Sequence, residues 1–121
     1  MQDTGERGVQ WMGESLEVLR DLPADVRWTV GRALFKAQKG MRHKDAFPLR
    51  GRFRGIFEIA RDHMGDTYRV YYTLRCPGWV YVLFCHRKQS KRGAAIPKHE
   101  ADLILRRFRD CMAECSERGE R

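Results

Sequence analysis

Seven consecutive apolar residues, Trp79-Val80-Tyr81-Val82-Leu83-Phe84-Cys85, constrain this chain more than any other segment. The run falls far short of the roughly 18 to 20 apolar residues that span a bilayer, and its aromatic and β-branched content suits a strand. Because both of its alternating faces are apolar, it has to lie inside a sheet that helices cover on at least one side. Pro77-Gly78 supplies the turn that leads into it. Directly after it comes a basic cluster, His86-Arg87-Lys88-Gln89-Ser90-Lys91-Arg92, with no carboxylate until Glu100. Cations gathered on a rigid support suit a polyanion, and nucleic acid is the expected partner.

The remaining elements arrange themselves around that strand, which is expected to be central. Val9-Gln10-Trp11-Met12 is a short candidate strand. Ser15 can cap a short helix whose apolar positions Leu16, Leu19 and Leu22 recur at helical spacing, and Pro23 opens a second helix that runs to Lys39. Val26, Val30, Ala33, Leu34 and Ala37 form one stripe of that second helix, and Gly40 ends it. Trp28 lies off the centre of the stripe, where it can pack at the edge or serve a partner; edge packing is the expectation.

From Phe47 the period changes to two. Arg54 to Arg61 reads as a half-buried strand, with Phe53, Phe57 and Ile59 on one face and Arg54 and Glu58 on the other. His63-Met64-Gly65-Asp66 turns the chain into a second strand. There Tyr68, Val70, Tyr72 and Leu74 face one way, and Thr67, Arg69, Tyr71 and Thr73 face the other. A last helix opens at Pro97, carries Glu100 and Asp102 early, and presents Ala101, Ile104, Phe108 and Cys111 or Met112 to the core, before a charged tail from Ser116 to Arg121 that is expected to fray. The expected fold is α+β, a small and mainly antiparallel sheet with a helical hairpin and a C-terminal helix, in one domain over residues 1–121.

Composition bounds the function classes. A formal charge of +8 over 121 residues points to phosphate-rich or acidic partners. Neither a membrane span nor a secretory leader is legible, so a cytoplasmic protein without a membrane partner is expected. The cysteines, Cys76, Cys85, Cys111 and Cys115, lack CxxC spacing and read as structural thiols. No second close pair completes a tetrahedral ligand set, so neither a metal nor another cofactor is expected.

Four blocks in order resemble the RelE/ParE superfamily of bacterial type II toxins, in its phage-derived HigB-like branch. They are Ser15-Leu16-Glu17-Val18-Leu19-Arg20-Asp21-Leu22-Pro23 with Val30-Gly31-Arg32-Ala33-Leu34 and Ala37-Gln38-Lys39-Gly40 downstream; Pro48-Leu49-Arg50-Gly51 with Gly55-Ile56-Phe57-Glu58-Ile59; Asp66-Thr67-Tyr68-Arg69-Val70-Tyr71-Tyr72-Thr73; and Lys88-Gln89-Ser90-Lys91-Arg92-Gly93 with Ile96-Pro97-Lys98-His99-Glu100. His86-Arg87-Lys88 and Ile96 depart from the branch's usual residues at those positions. The resemblance implies a RelE-like fold and a toxin that cleaves mRNA at the ribosomal A site. It also implies neutralisation by a helix-turn-helix, HigA-like antitoxin, whose complex with the toxin binds operator DNA through the antitoxin. Gyrase inhibition of the ParE kind is the alternative on the same scaffold, and a non-catalytic nucleic-acid-binding protein is a second alternative.

Metal-free RNA cleavage needs a base for the ribose 2′-OH, a stabiliser for the extra charge on the phosphorane, and an acid for the departing 5′-oxygen. Close cations lower a lysine pKa, so Lys88 or Lys91 can act as base, while the planar fork of Arg69 suits the non-bridging oxygens. The resemblance places Arg69 and the Lys88/Lys91 segment at the superfamily's catalytic arginine and basic stretch. His86 is the other acid/base candidate, or a half-buried strand-end histidine sharing a face with Val82 and Phe84. Tyr71, on the face of Arg69, can stack on a base; Arg54, Arg61, Arg87, Ser90 and Arg92 can contact phosphate. Glu58 is expected to orient an arginine.

Overall fold

A computed structural model describes residues 6–86 and 95–119, with side chains to residue 116 in the last helix. Five strands form one sheet in the order β1-β5-β4-β3-β2. The strands are β1 (Gly8–Trp11), β2 (Ala46–Pro48), β3 (Ile56–His63), β4 (Asp66–Thr73) and β5 (Trp79–Cys85). β1 pairs in parallel with β5, and every other neighbouring pair is antiparallel. β5 is interior, as its apolar run requires, but the middle strand is β4. The helices are α1 (Ser15–Arg20), α2 (Ala24–Gln38) and α3 (Lys98–Gly119), so α3 continues into residues 116–119, which had been expected to belong to a frayed tail. No helix among the described residues is long and apolar enough to cross a membrane.

The helices cover both faces of the sheet. On one face Val18 of α1 and Val26, Val30, Ala33, Leu34 and Ala37 of α2 pack on Ile59, Val70, Tyr72, Val80 and Val82. On the other, Ile104 and Cys111 of α3 pack on Ile56, Tyr71, Tyr81, Leu83 and Phe84. This two-sided cover is why β5 lacks an alternating pattern: the apolar side chains of both its faces are needed.

Several local features differ from the sequence expectation. Ser15 is the first residue of α1 and not its cap; its hydroxyl donates to Met12 O at 2.7 Å. The strand expected over Arg54–Arg61 begins at Ile56, because a 3-10 turn (Gly51–Phe53) with Arg54 as its C-cap precedes it, and Phe53 packs with the α3-side cluster. β2 was not expected at all. A bulge between Tyr71 and Tyr72 pairs them with Phe84 and Val82, skipping Leu83. It shifts the alternation of β5, so Val82 joins the hairpin-side cluster while Leu83 and Phe84 join the α3 side. His86 therefore does not share a face with Val82. Trp28 is 67% exposed on the outer side of α2, which overturns edge packing. Cys76, in the β4–β5 connection, and Cys115 of α3 form a disulfide, where free structural thiols were expected; Cys85 and Cys111 are free and buried.

Met64 and Gly65 both have positive φ, 53° and 86°. That pair makes the two-residue hairpin turn whose twist matches the strands, and it fixes the register that sets Ala60 opposite Arg69 and Glu58 opposite Tyr71.

Candidate active site

The register of β3 and β4 gathers the polar groups of the α3-facing sheet surface toward one end. Ala60, opposite Arg69, leaves room above the strand, and Phe47 of β2 stands opposite Glu58 on the other side. Between them lies an open groove of about 570 Å³ lined by Lys44, Asp45, Phe47, Glu58, Ala60, Arg61, Asp62, Thr67 and Arg69. Glu58 is its anchor. Its Oε2 accepts from Arg69 Nε at 3.0 Å and from the Tyr71 hydroxyl at 3.1 Å. The Arg69 side chain is 11% exposed, so the ion pair is shielded and holds the guanidinium in place.

Beside this group lies the end of β5. The His86 N–H donates to Arg69 O at 2.9 Å, continuing the ladder one residue past the strand. His86 Nε2 is 3.0 Å from Glu100 Oε2 on α3, and the imidazole stands edge-on to Phe84 with ring centroids 6.3 Å apart. Glu100 Oε1 is buried and has no hydrogen-bond partner among the described residues. Arg69, Glu58, Tyr71, His86 and Glu100 thus form one polar layer between the sheet and the start of α3.

Tyr71 has the face expected of it but not the exposure. It is 1% exposed, its ring stacks with Phe84, and burial first, then the Glu58 carboxylate, pushes its phenol pKa far above the usual value. A ring closed in by α3 cannot receive a base, so Tyr71 is corrected from an RNA-stacking residue to a support for Glu58. Phe47, 49% exposed at the groove wall, offers the aromatic surface that Tyr71 lacks. Sequence reasoning missed it because a three-residue strand carries no readable period; an apolar Phe47-Pro48 pair between charged stretches was the available signal.

The other candidates scatter. Arg61 borders the groove, but its guanidinium reaches α2, where Asp25 Oδ2 lies at 2.8 Å and His63 Nδ1 lies 3.5 Å from the same oxygen. The arginine beside it holds the Asp25 carboxyl below its ordinary pKa. Arg54 is exposed beyond the opposite end of β3, beside a second groove of about 390 Å³ bordered by Leu49, Phe57 and Arg75. Ile56 is four residues from Ala60, about 13 Å along the strand, so Arg54 does not join Arg69. Arg87, Lys88, Ser90, Lys91 and Arg92 lie outside the described residues. Among the described residues, no group of three or more His, Cys, Asp and Glu is arranged to hold a metal ion.

The family model for phage derived protein Gp49-like (DUF891) matches residues 17–109. The chain belongs to that family. The match runs from α1 into α3 and includes Phe47, Glu58, Arg69, Tyr71, His86 and Glu100 of this Gp49-like protein; β1 precedes it. No curated protein matches the chain in sequence. Among solved structures, it is similar to the RelBE2 toxin–antitoxin complex from Mycobacterium tuberculosis. The identity is 20%, 73% of this chain and 98% of that chain are covered, and the TM-score is 0.48.

Proposed function

We propose that this Gp49-like chain is the toxin of a type II toxin–antitoxin pair, of the HigB-like kind, and that it cleaves mRNA in the ribosomal A site without a metal. The observation that carries the reading is Arg69, fixed through Nε by Glu58 on the floor of an open groove and joined through its backbone to His86. An arginine held in advance costs little reorganisation when charge develops on a phosphorane, which is the condition for strong transition-state stabilisation. Phe47 supplies a platform for a base, and Lys44 a cation for the backbone. A base drawn from Lys88, Lys91 and His86 removes the 2′-OH proton. Attack of that oxygen on phosphorus then expels the 5′-oxygen, which takes a proton from the conjugate acid or a neighbouring cation. Glu100 orients His86 for either duty.

In this reading the protein works in the cytoplasm. A helix-turn-helix antitoxin neutralises it and carries the pair to operator DNA. Arg69→Ala is the test: cleavage of mRNA on programmed ribosomes, read by primer extension, is expected to fall by ~10²-fold or more while circular dichroism keeps its native form. Full cleavage by a folded Arg69→Ala variant would remove that residue from the site. In cells expressing the chain, methionine incorporation is expected to stop before thymidine incorporation. The reverse order would replace this reading with inhibition of DNA gyrase.

A further inference from the structure

The outer side of α2 carries an aromatic and cationic line that lies outside the core; at its end Lys39 Nζ pairs with Glu6 Oε2 at 3.0 Å. Trp28, Arg32, Phe35 and Lys39 follow one another at helical spacing, and Trp28 and Phe35 are 67% and 53% exposed. Arg32 lies over the Trp28 ring at 5.5 Å and Lys39 over the Phe35 ring at 4.9 Å. Gly31 sits beside the gap between the two rings. A Cβ at Gly31 would meet nothing within 4 Å, so the packing of this chain does not require a glycine there. Mid-helix glycine costs about 1 kcal/mol relative to alanine. Two aromatic walls with a bare backbone between them make a notch, and a notch of this kind admits a side chain from a second helix at close approach.

We propose that this face of α2 docks an acidic amphipathic helix of a partner protein, one apolar side chain seated at Gly31 and carboxylates meeting Arg32 and, in place of Glu6, Lys39. Charge complementarity selects the occupant. The sole carboxylate on α2, Asp25, is engaged by Arg61, and the helix otherwise carries Arg27, Arg32 and Lys36. The rings stand seven residues apart, about 10.5 Å along the axis, which is two turns of a facing helix. Trp, Phe and Arg are also the side chains enriched at protein interfaces. RNA fits less well, because a cation already lies over one face of each ring and the notch suits a knob of side-chain size. Trp28 and Arg32 line a groove that meets the Arg69 groove at Lys44, Asp45 and Arg61, but the docking proposed here uses none of those three and does not rest on the reaction proposed above.

Gly31→Ala and Gly31→Leu separate the two roles of this position, since stability and binding are expected to move in opposite directions. Gly31→Ala raises the melting temperature by roughly 2–6 °C, as a helix-propensity gain does in a domain of this size. The probe is a displayed library of amphipathic helices of about 20 residues with randomised outer positions, selected against the full chain. Enriched peptides are expected to be acidic, and to bind Gly31→Leu and Trp28→Ala at least about tenfold more weakly than the unchanged chain. Failure to enrich any peptide, enrichment of basic or neutral ones, or equal binding to both variants overturns the proposal. So does a single-stranded RNA of about 12 nucleotides whose affinity falls about tenfold in Gly31→Leu, which would make the face a nucleic-acid site.

Discussion

Phe47 and Tyr71 both stand on the sheet face that carries Arg69, yet α3 closes over Tyr71 and leaves Phe47 open. The two rings should therefore answer differently to substitution. Phe47→Ala is expected to weaken single-stranded RNA binding by about 1–3 kcal/mol, the usual worth of one stacked base, with little change in urea stability. Tyr71→Phe is expected to leave RNA affinity unchanged and to cost about 1 kcal/mol, because Glu58 loses a buried donor. Fluorescence anisotropy and urea titration read the two effects separately. Cys85 makes a third residue-scale case. Burial pushes its thiol up to about 12 from an ordinary value of 9.0. The folded state thus keeps a proton that the unfolded state releases, so this contribution is complete below about pH 9 and disappears as the pH rises toward 12. The urea midpoint is expected to fall between about pH 8 and about pH 10.5, and Cys85→Ala to make that fall shallower. The face of Arg69 was legible because strand alternation is a local fact, and its candidacy for the site came from the family resemblance. Burial of Tyr71 was not legible, because it depends on a helix that returns from far along the chain.

At the scale of elements, long periodic segments were readable and short or irregular ones were not. The core stripe of α2 and the alternation of β4 lie where spacing places them, since each repeats its pattern over several turns or pleats. β2 spans only Ala46–Pro48, and the bulge opposite Leu83 changes a face without changing any residue type, so neither leaves a periodic trace. Cys76 and Cys115 carry no spacing that predicts their pairing, because α3 alone brings them together. That disulfide ties the far end of α3 to the β4–β5 connection, while Glu100 at its near end touches His86. Cys115→Ser is expected to cost about 2–4 kcal/mol of stability, the common worth of closing a loop of this kind. Comparing melting temperatures with and without reductant checks the same quantity: the unchanged chain should fall to the level of the variant, and the variant should not respond.

Across the whole molecule, the hairpin face carries the exposed aromatics of α2, and the α3 face the polar layer around Arg69. The net charge of +8 makes association with any polyanion fall steeply with salt. Only the broad charge was visible before folding; its separation onto two sides follows from the sheet having cover on both. The parallel pairing of β1 with β5, which sets Gly8 opposite Trp79 and Trp11 opposite Val82, has a consequence for synthesis. The first strand leaves the ribosome early and must wait for nearly the last, since contacts this distant in the chain form late. Until β5 emerges, the apolar stripe of α2 has only the β3–β4 hairpin to cover, and β1 has no strand to pair with. Stalled ribosomes carrying the chain up to Thr73, followed by a flexible extension long enough to clear the tunnel, should yield a protease-sensitive nascent chain, and the same extension placed after residue 121 should leave it resistant.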